Sequence, residues 1–175
     1  MANKLYEADA INIKVMYYAA FCFVFLIIVG VVFMTLVSIP HHQKPSFTFD
    51  NVTYNFTYVA SNLTAWQEGL MNKTVGNNTF ELFAFPTYAV YPFWMKNTYY
   101  PLDILWINGS RVVFVVHAVP CSWYSPYQSN CTIYNQYNSS TPGYGHVANY
   151  VIEAEGGFAN STGIAVGSVI YINPN

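Results

Sequence analysis

The sequence predicts a mainly β protein, α+β at most, in which one N-terminal transmembrane helix precedes a compact domain. Two observations carry this prediction. A long apolar segment without a charged residue occupies positions 15–39. Beyond it the chain is divided into short apolar or alternating segments that end at Gly, Pro or Asn, which is typical of strands. With 175 residues, the chain has room for one modest domain beside the helix.

Residues 15–39 are long enough to span a membrane. As a helix they would extend about 37 Å, which exceeds the roughly 30 Å hydrocarbon core of a bilayer. We therefore expect a cytoplasmic tail (1–14), a transmembrane helix (15–39), a linker (40–46) and an outer domain (47–175). A cleaved signal peptide is the alternative, but its apolar region is usually about 7–15 residues long, so the length favours an uncleaved anchor.

The predicted outer domain is rich in acceptor triplets for N-linked glycans. Chance would give roughly two or three triplets in a segment of this composition. The observed acceptors are Asn51, Asn55, Asn62, Asn72, Asn77, Asn108, Asn130, Asn138 and Asn160. They favour a glycosylated domain outside the cell membrane, with the N-terminus inside. The alternative is that a surface rich in Asn and Thr produces such triplets incidentally.

Cysteine usage fits an exported domain. Cys121 and Cys131 lie ten positions apart beyond the helix and can close a small ring in an oxidising compartment. Two free thiols are the alternative. Cys22 lies within the apolar segment, where it serves as an apolar side chain.

The charge balance limits the classes of partner. Residues 45–175 contain three basic and six acidic residues. They form no basic patch, so we expect no binding to nucleic acid. A surface with so few ionisable groups keeps a nearly constant charge as the pH falls. We therefore consider the hypothesis that the domain faces an acidic external medium, such as the one around some archaeal cells.

The first half of the outer domain contains two strand predictions. Residues 47–58 alternate between apolar and polar side chains, which predicts a single half-buried strand. Residues 66–71 are expected to form a short turn or helix. Residues 80–85 read as a second strand, which Pro86 ends.

Residues 93–106 carry the densest aromatic content of the chain around a few polar side chains. They predict two short strands separated by a tight connection. Asp103 interrupts the apolar run, and if it is buried it needs Lys96, Asn97 or backbone N–H groups as partners. Such a network is either a structural staple or a binding site.

A hairpin is predicted next in the chain. Residues 102–107 and 111–119 are both apolar, and Asn108-Gly109 between them is a turn signal. This pairing would bring Asp103 and His117 into the same sheet. The candidate ligand-binding or structural cluster is therefore Trp94, Lys96, Asn97, Asp103 and His117.

Residues 120–146 have no clear period and are rich in Tyr, Ser, Asn and Gly. A segment of this length in a small domain is usually functional or a docking surface. Residues 147–154 and 167–172 predict further strands. The aromatic residues suited to a contact surface are Trp123, Tyr124, Tyr127, Tyr134, Tyr137 and Tyr144.

Several motifs together resemble the family named domain of unknown function 192 (DUF192). The central one, F-W-M-K-N-T-x-x-P-L-D-I-L, starts at Phe93. The others are WQEGLM (66–71), LFAFP (82–86), HAVPC (117–121), YVIEAEGG (150–157) and GIAVGSV (163–169). The resemblance implies a compact β-rich domain of sandwich or barrel-like type, and it implies no established reaction or cofactor. The family usually has an Arg soon after G-L-M and an Asp where Ser168 stands, so no charged site is transferred.

The residues offer candidates for two kinds of chemistry. Asp103, His117 and Glu153, with Lys96 nearby, are the candidates for hydrolysis, but no nucleophile elbow or metalloprotease motif accompanies them. A soft-metal site lacks closely spaced ligands, so we expect no metal and no cofactor. Its candidate ligands would be Met71, Met95, His117, Cys121, Cys131 and His146.

We therefore expect an accessory or structural subunit of a membrane or cell-surface assembly. Its expected partners are membrane lipid, other integral-membrane subunits and N-linked glycans. The alternative is an outer domain that binds a ligand such as a sugar, a peptide or a soft metal ion. An extracytoplasmic hydrolase is the third possibility, and whether the chain is an enzyme stays open.

Overall fold

The computed structural model describes residues 2–37, 43–135 and 147–174, and the chain divides into two units, Met1–His42 and Gln43–Asn175. The first unit contains helix α1 (Ala2–Val37). Its segment Val15–Met34 is long and apolar enough to cross a membrane, and none of it is buried. The helix already begins at Ala2, because neither Pro nor Gly interrupts residues 2–14. The predicted end at residue 39 lies outside the described residues.

The described residues of the second unit form ten short strands and two short α-helices. The helices are α2 (Leu63–Glu68) and α3 (Phe158–Thr162). The strands are β1 (Ser46–Phe49), β2 (Val52–Asn55), β3 (Tyr58–Ala60), β4 (Phe80–Ala89), β5 (Phe93–Trp94), β6 (Leu102–Asn108), β7 (Arg111–Ala118), β8 (Ile133–Tyr134), β9 (Ala148–Glu155) and β10 (Tyr171–Asn173). The prediction of a mainly β domain is confirmed.

The described strands form three sheets, and the central one has five strands. The central sheet has the order β3-β4-β9-β6-β7, and the other two sheets are β10-β1-β2 and β5-β8. Strand β3 runs parallel to β4, whereas the pairs β4–β9, β9–β6 and β6–β7 are antiparallel. The barrel-like part of the prediction is wrong for the described residues. Strands β3 and β7 stay at opposite edges of the central sheet, and no ladder closes them.

Both faces of the central sheet are buried, which explains its nearly continuous apolar strands. On one face, Phe83, Ile104, Trp106 and Val151 form a core with Leu70. On the other face the alternate residues of the same strands form a second core with the β10-β1-β2 sheet and α3. That second core contains Leu82, Leu105, Ile107, Ile152, Phe47 and Phe158. The two cores are called the first face and the second face below.

The single strand predicted for residues 47–58 is wrong. Asp50 and Asn51 have positive φ angles of 48° and 62°, and they turn the chain so that β1 and β2 form an antiparallel hairpin. Asp and Asn tolerate this left-handed conformation better than most residues. Strand β3 then joins the central sheet. Alternation alone cannot separate one strand from two strands joined by a tight turn.

The predicted end of a strand at Pro86 is also wrong, because β4 continues to Ala89. The pairing of β4 with β9 is irregular between Ala84 and Ala89. Pro86 lies within this irregular stretch, where the N–H group that it lacks is not needed for a ladder hydrogen bond.

The predicted hairpin is confirmed. Strands β6 and β7 pair antiparallel, with Asp103 opposite His117 and Asn108 opposite Arg111. Gly109, with a φ of 63°, takes the left-handed conformation that the two-residue turn requires. The hairpin presents Asp103 and His117 on neighbouring strands.

Candidate ligand-binding cavity

A cavity of about 380 Å³ opens on the first face of the second unit. It lies among helix α2, the residues that follow α2, strand β4 and the segment around β5. Its lining is mainly apolar and aromatic, with one deeply buried carboxyl group. The described lining residues are Leu63, Trp66, Gln67, Glu68, Gly69, Leu70, Met71, Phe83, Phe85, Tyr91, Pro92, Phe93, Trp94, Thr98 and Glu153.

The aromatic wall of this cavity is held in a continuous chain of ring contacts. Trp66 lies 5.1 Å from Phe85, which stacks on Tyr91 at 3.6 Å between ring centroids. Phe83 meets Phe93 edge to face at 4.8 Å. The Nε1–H group of Trp66 donates to the carbonyl oxygen of Ala60 at 2.9 Å, which fixes the indole. The rings are therefore oriented before any ligand arrives.

Glu153 supplies the carboxyl group of the cavity. It extends from β9 onto the first face and is only 4% exposed. The backbone N–H of Leu70 donates a hydrogen bond to the carboxyl group, but Oε2 has no hydrogen-bond partner among the described residues. Burial, and then the neighbouring charge of Glu81, raise the pKa of Glu153 to about 8.

Glu81 lies directly beside Glu153, because the two residues are paired across β4 and β9. It is 2% exposed, and its Oε2 likewise lacks a partner among the described residues. Its Oε1 accepts a hydrogen bond from Lys73 Nζ at 3.4 Å. Burial raises the pKa of Glu81, and the Lys73 charge partly offsets this effect. Lys73 Nζ also lies 4.1 Å from the centroid of the Tyr58 ring.

Gly69 allows the chain after α2 to pass close to this carboxyl group. Its φ is 48°, and a Cβ at this position would lie 3.1 Å from Phe83 Cζ and 3.4 Å from Glu153 Oε2. A larger residue would therefore be strained and would crowd the free oxygen of Glu153. The glycine of the G-L-M motif thus shapes the wall of the cavity.

Asp103 and His117 belong to the second face. Asp103 Oδ1 lies 2.7 Å from His117 Nδ1, and Asp103 Oδ2 accepts a hydrogen bond from the Ala159 N–H at 2.7 Å. The side chain of Asp103 is fully buried, whereas that of His117 is 55% exposed. This carboxylate ties the β6–β7 hairpin to α3. The predicted partners Lys96 and Asn97 are wrong, and the alternative of a backbone N–H partner is confirmed.

The rest of the predicted polar cluster lies elsewhere. Lys96 Nζ is 5.0 Å from the centroid of the Trp94 ring. Asn97, with a φ of 52°, donates its backbone N–H to Gln128 Oε1 at 2.9 Å. Of the five predicted residues, only Trp94 lines the large cavity. The cluster is therefore divided into an Asp103–His117 pair and a Trp94–Lys96 pair.

The geometry does not bring the hydrolytic candidates together. Asp103 pairs with Ala154 across β6 and β9, so Glu153, one residue earlier, points to the opposite face of the sheet. The soft-metal set loses Cys121 and Cys131, which form a disulfide, and His146 lies outside the described residues. In residues 43–135 and 147–174 no three His, Cys, Asp or Glu side chains are grouped as metal ligands.

A surface segment lies beside the predicted disulfide. Two 3₁₀ turns, Cys121–Trp123 and Gln128–Asn130, are joined by the Cys121–Cys131 bond. Trp123 and Tyr127 are exposed, while Tyr137 and Tyr144 lie outside the described residues. Of the predicted glycan acceptors, Asn138 also lies outside them, Asn108 is half-buried, and the others are exposed.

Glu81 is a buried acid beside the site that sequence reasoning did not select, and the lining aromatics Trp66, Phe85 and Tyr91 were likewise not candidates. The signal lies in the segments F-E-L-F and V-I-E-A, each of which places a single acid inside an apolar strand. A buried acid of this kind needs a charge partner or a raised pKa. Only the pairing of β4 with β9 reveals that the two acids are neighbours.

Comparison with known proteins gives a family and a fold. Residues 48–172 match the profile of DUF192, described as uncharacterized ACR. A structure from Sinorhizobium meliloti 1021, named as a candidate transcription regulator, has 23% identity and a TM-score of 0.58, covering 74% of this chain and 94% of its own. A protein of unknown function from Novosphingobium aromaticivorans DSM 12444 has 25% identity and a TM-score of 0.54, covering 75% and 88%. No curated protein matches the chain.

Proposed function

The chain belongs to the DUF192 family, which is uncharacterized, and we propose that its outer domain binds a small ligand in the aromatic cavity. The observation that carries this proposal is the cavity of about 380 Å³ with Glu153 in its lining. Ligand sites in proteins are typically apolar pockets of roughly 300–1,000 Å³ with a few polar groups. The free Oε2 atom of Glu153 supplies such a group.

Helix α1 anchors this binding domain to the membrane in the proposed arrangement. The apolar segment Val15–Met34 supports an anchor. The exposed acceptor asparagines support N-linked glycans and an outer location with the N-terminus inside. A domain held at an outer surface by one helix is suited to capturing a ligand there.

The proposal is tested by screening a fragment library against the full chain in detergent, with ligand-observed NMR. Trp94 lines the cavity and is partly exposed, so Trp94→Ala removes one wall without opening the buried core. We expect fragment hits to bind about tenfold more weakly to Trp94→Ala, since a stacked ring contributes roughly 1 kcal/mol or more.

Trp123→Ala is the matched control. Trp123 is exposed on the disulfide-bonded segment and does not line the cavity. We expect this variant to retain every hit. A library without hits, or hits that Trp123→Ala weakens and Trp94→Ala leaves unchanged, would contradict the proposal.

A second candidate function is that of an accessory subunit in a membrane assembly. The observation that favours it is the exposed aromatic surface of the disulfide-bonded segment, where Trp123, Tyr124, Tyr127 and Ile133 face solvent. Such side chains are enriched where proteins meet. Purification from native membranes in mild detergent, followed by mass spectrometry, tests it. Integral-membrane partners in fixed ratio support a subunit, and recovery of the chain alone contradicts it.

A further inference from the structure

We propose that the ligand of the aromatic cavity is an organic cation, an ammonium or quaternary ammonium group on an apolar body, held between the aromatic rings and the Glu153 carboxylate. This inference rests on the proposed function, because it names the ligand class of the same cavity. It depends on three features of the described residues: the sign of the charges in the lining, the aromatic wall and the unpartnered oxygen of Glu153.

The carboxyl groups of the lining can carry only negative charge. Glu68 and Glu153 are its two ionisable acids, and no Lys, Arg or His belongs to the described lining. Glu81 adds a third acid beside Glu153. Lys73 is paired with Glu81 at 3.4 Å, and Lys96 lies over Trp94. A cation would be attracted once Glu153 loses its proton, and the described lining offers no basic group that would attract an anion.

The aromatic wall also favours a ligand with positive charge. The faces of Trp, Tyr and Phe rings carry partial negative charge, and a cation within about 6 Å of a ring centroid is attracted by roughly 0.5–2 kcal/mol. Trp66, Phe85, Tyr91 and Trp94 all line the cavity and are partly accessible. Several rings around one acid form the kind of cage that binds quaternary ammonium groups in other proteins.

The Oε2 atom of Glu153 is the group beside which the positive charge of the ligand would lie. Glu153 is buried and lines the cavity, but its Oε2 has no hydrogen-bond partner among the described residues. A buried carboxyl without full hydrogen bonding is costly in the charged form. A ligand cation beside Oε2 would stabilise the carboxylate and remove this cost. A neutral ligand would leave the group protonated.

Binding is therefore linked to the loss of a proton. The free protein holds Glu153 protonated below a pKa of about 8, and the charged groups that act on it are Glu81 on β4 and Lys73. Glu68 on α2 lines the same cavity. A cation displaces the carboxyl proton to solvent. The affinity for a cation should therefore fall about tenfold for each pH unit below 8.

The test compares choline with 3,3-dimethylbutan-1-ol, which has the same shape and no charge. Both probes are titrated calorimetrically into the full chain in a maltoside detergent, which carries no ammonium group, at pH 9. We expect choline to bind at least tenfold more tightly. We also expect its affinity at pH 7 to be about tenfold below that at pH 9, with close to one proton released per choline bound at pH 7.

Two substitutions on the same strand complete the test. Glu153→Gln keeps the size of the side chain and removes its charge. It should lower the affinity for choline at least tenfold and leave the affinity for the neutral probe unchanged. Glu155→Gln, two residues further along β9 and outside the cavity lining, is the matched control. It should change the affinity for neither probe.

The outcomes separate this inference from the proposed function. Equal affinity for the two probes, or choline binding that Glu153→Gln leaves intact, would contradict the proposal that the ligand is a cation. Neither result would contradict the proposed ligand-binding function of the cavity. Fragment hits in the cavity with no binding of choline do the same. A cavity that binds neither the probes nor any fragment overturns both proposals.

Discussion

Glu153 combines deep burial with an oxygen atom that has no hydrogen-bond partner in the part of the chain that the structure describes. The group stays in the first face because it is protonated at neutral pH, and burial is the main cause of its raised pKa. Glu81 beside it adds to the effect, and burial also raises the pKa of Glu81 itself. Raised pKa values of neighbouring acids in a cavity are typical of functional sites.

The pH dependence of stability follows from this carboxyl group. The pKa of Glu153 rises from 4.5 in the unfolded chain to about 8 in the folded one, so the folded state holds a proton that the unfolded state loses. The free energy of unfolding should therefore fall as the pH rises, by up to about 4 kcal/mol between pH 5 and pH 8.

Urea unfolding at several pH values measures this slope in the wild type and in Glu153→Gln. The variant cannot titrate, so its slope should be clearly smaller, and the remaining slope should have the same sign because the pKa of Glu81 is also raised. Equal slopes in the two proteins would contradict the assignment.

Asp103 has a structural role on the second face. Asp103→Ala removes the acceptor of the buried Ala159 N–H and the partner of His117, so it should lower the free energy of unfolding by about 2–4 kcal/mol. Fragment affinity in the cavity should not change, because Asp103 faces away from it. Unchanged stability in denaturant unfolding, or weaker fragment binding by the folded variant, would count against this role.

Among the elements, the sequence predicts most reliably those that local chemistry determines. The β6–β7 hairpin followed from two apolar runs and a turn signal at Asn108-Gly109. Residues 47–58 were misread, because alternation does not show that Asp50 and Asn51 turn the chain. The end at Pro86 was misread because the irregular pairing of β4 with β9 depends on a distant strand. Turns and irregular pairings of this kind are weakly encoded in local patterns.

The Cys121–Cys131 disulfide stabilises the disulfide-bonded segment, residues 121–131. The two residues are ten positions apart, and closing a loop of this length stabilises a protein by roughly 2–3 kcal/mol through the entropy of the unfolded chain. The double substitution Cys121→Ser, Cys131→Ser should lower the free energy of unfolding by that amount. Cys22→Ser is the control, because Cys22 is free and lies in α1. An unchanged unfolding midpoint in the double variant would contradict this role.

At the scale of the whole molecule, α1 belongs to one compact unit and residues 43–175 form another. The two cores draw all their buried residues from this second unit. We therefore expect residues 43–175 to fold without residues 1–42 and to unfold within about 3 °C of the full chain. Aggregation of the shortened chain, or loss of its cooperative thermal transition, would contradict this expectation.

The candidate site was less predictable than the fold. Trp94 belonged to the most distinctive motif of the sequence, and it does line the cavity. Asp103 and Glu153 stood out as acids within apolar runs, but only the register of β9 against β6 and β4 shows that they face opposite sides of the sheet. A one-residue difference in register decides which face a side chain occupies. Distant pairings of this kind cannot be read from the residues alone.

The central claim is that Glu153 is a buried, protonated carboxyl group that faces a ligand cavity. The most direct measurement is a ¹³C NMR titration of its side-chain carboxyl in the full chain, with the signal assigned by its absence from Glu153→Gln. We predict a midpoint near pH 8 that moves down when choline is added. A midpoint below pH 5 that choline does not change would contradict the account.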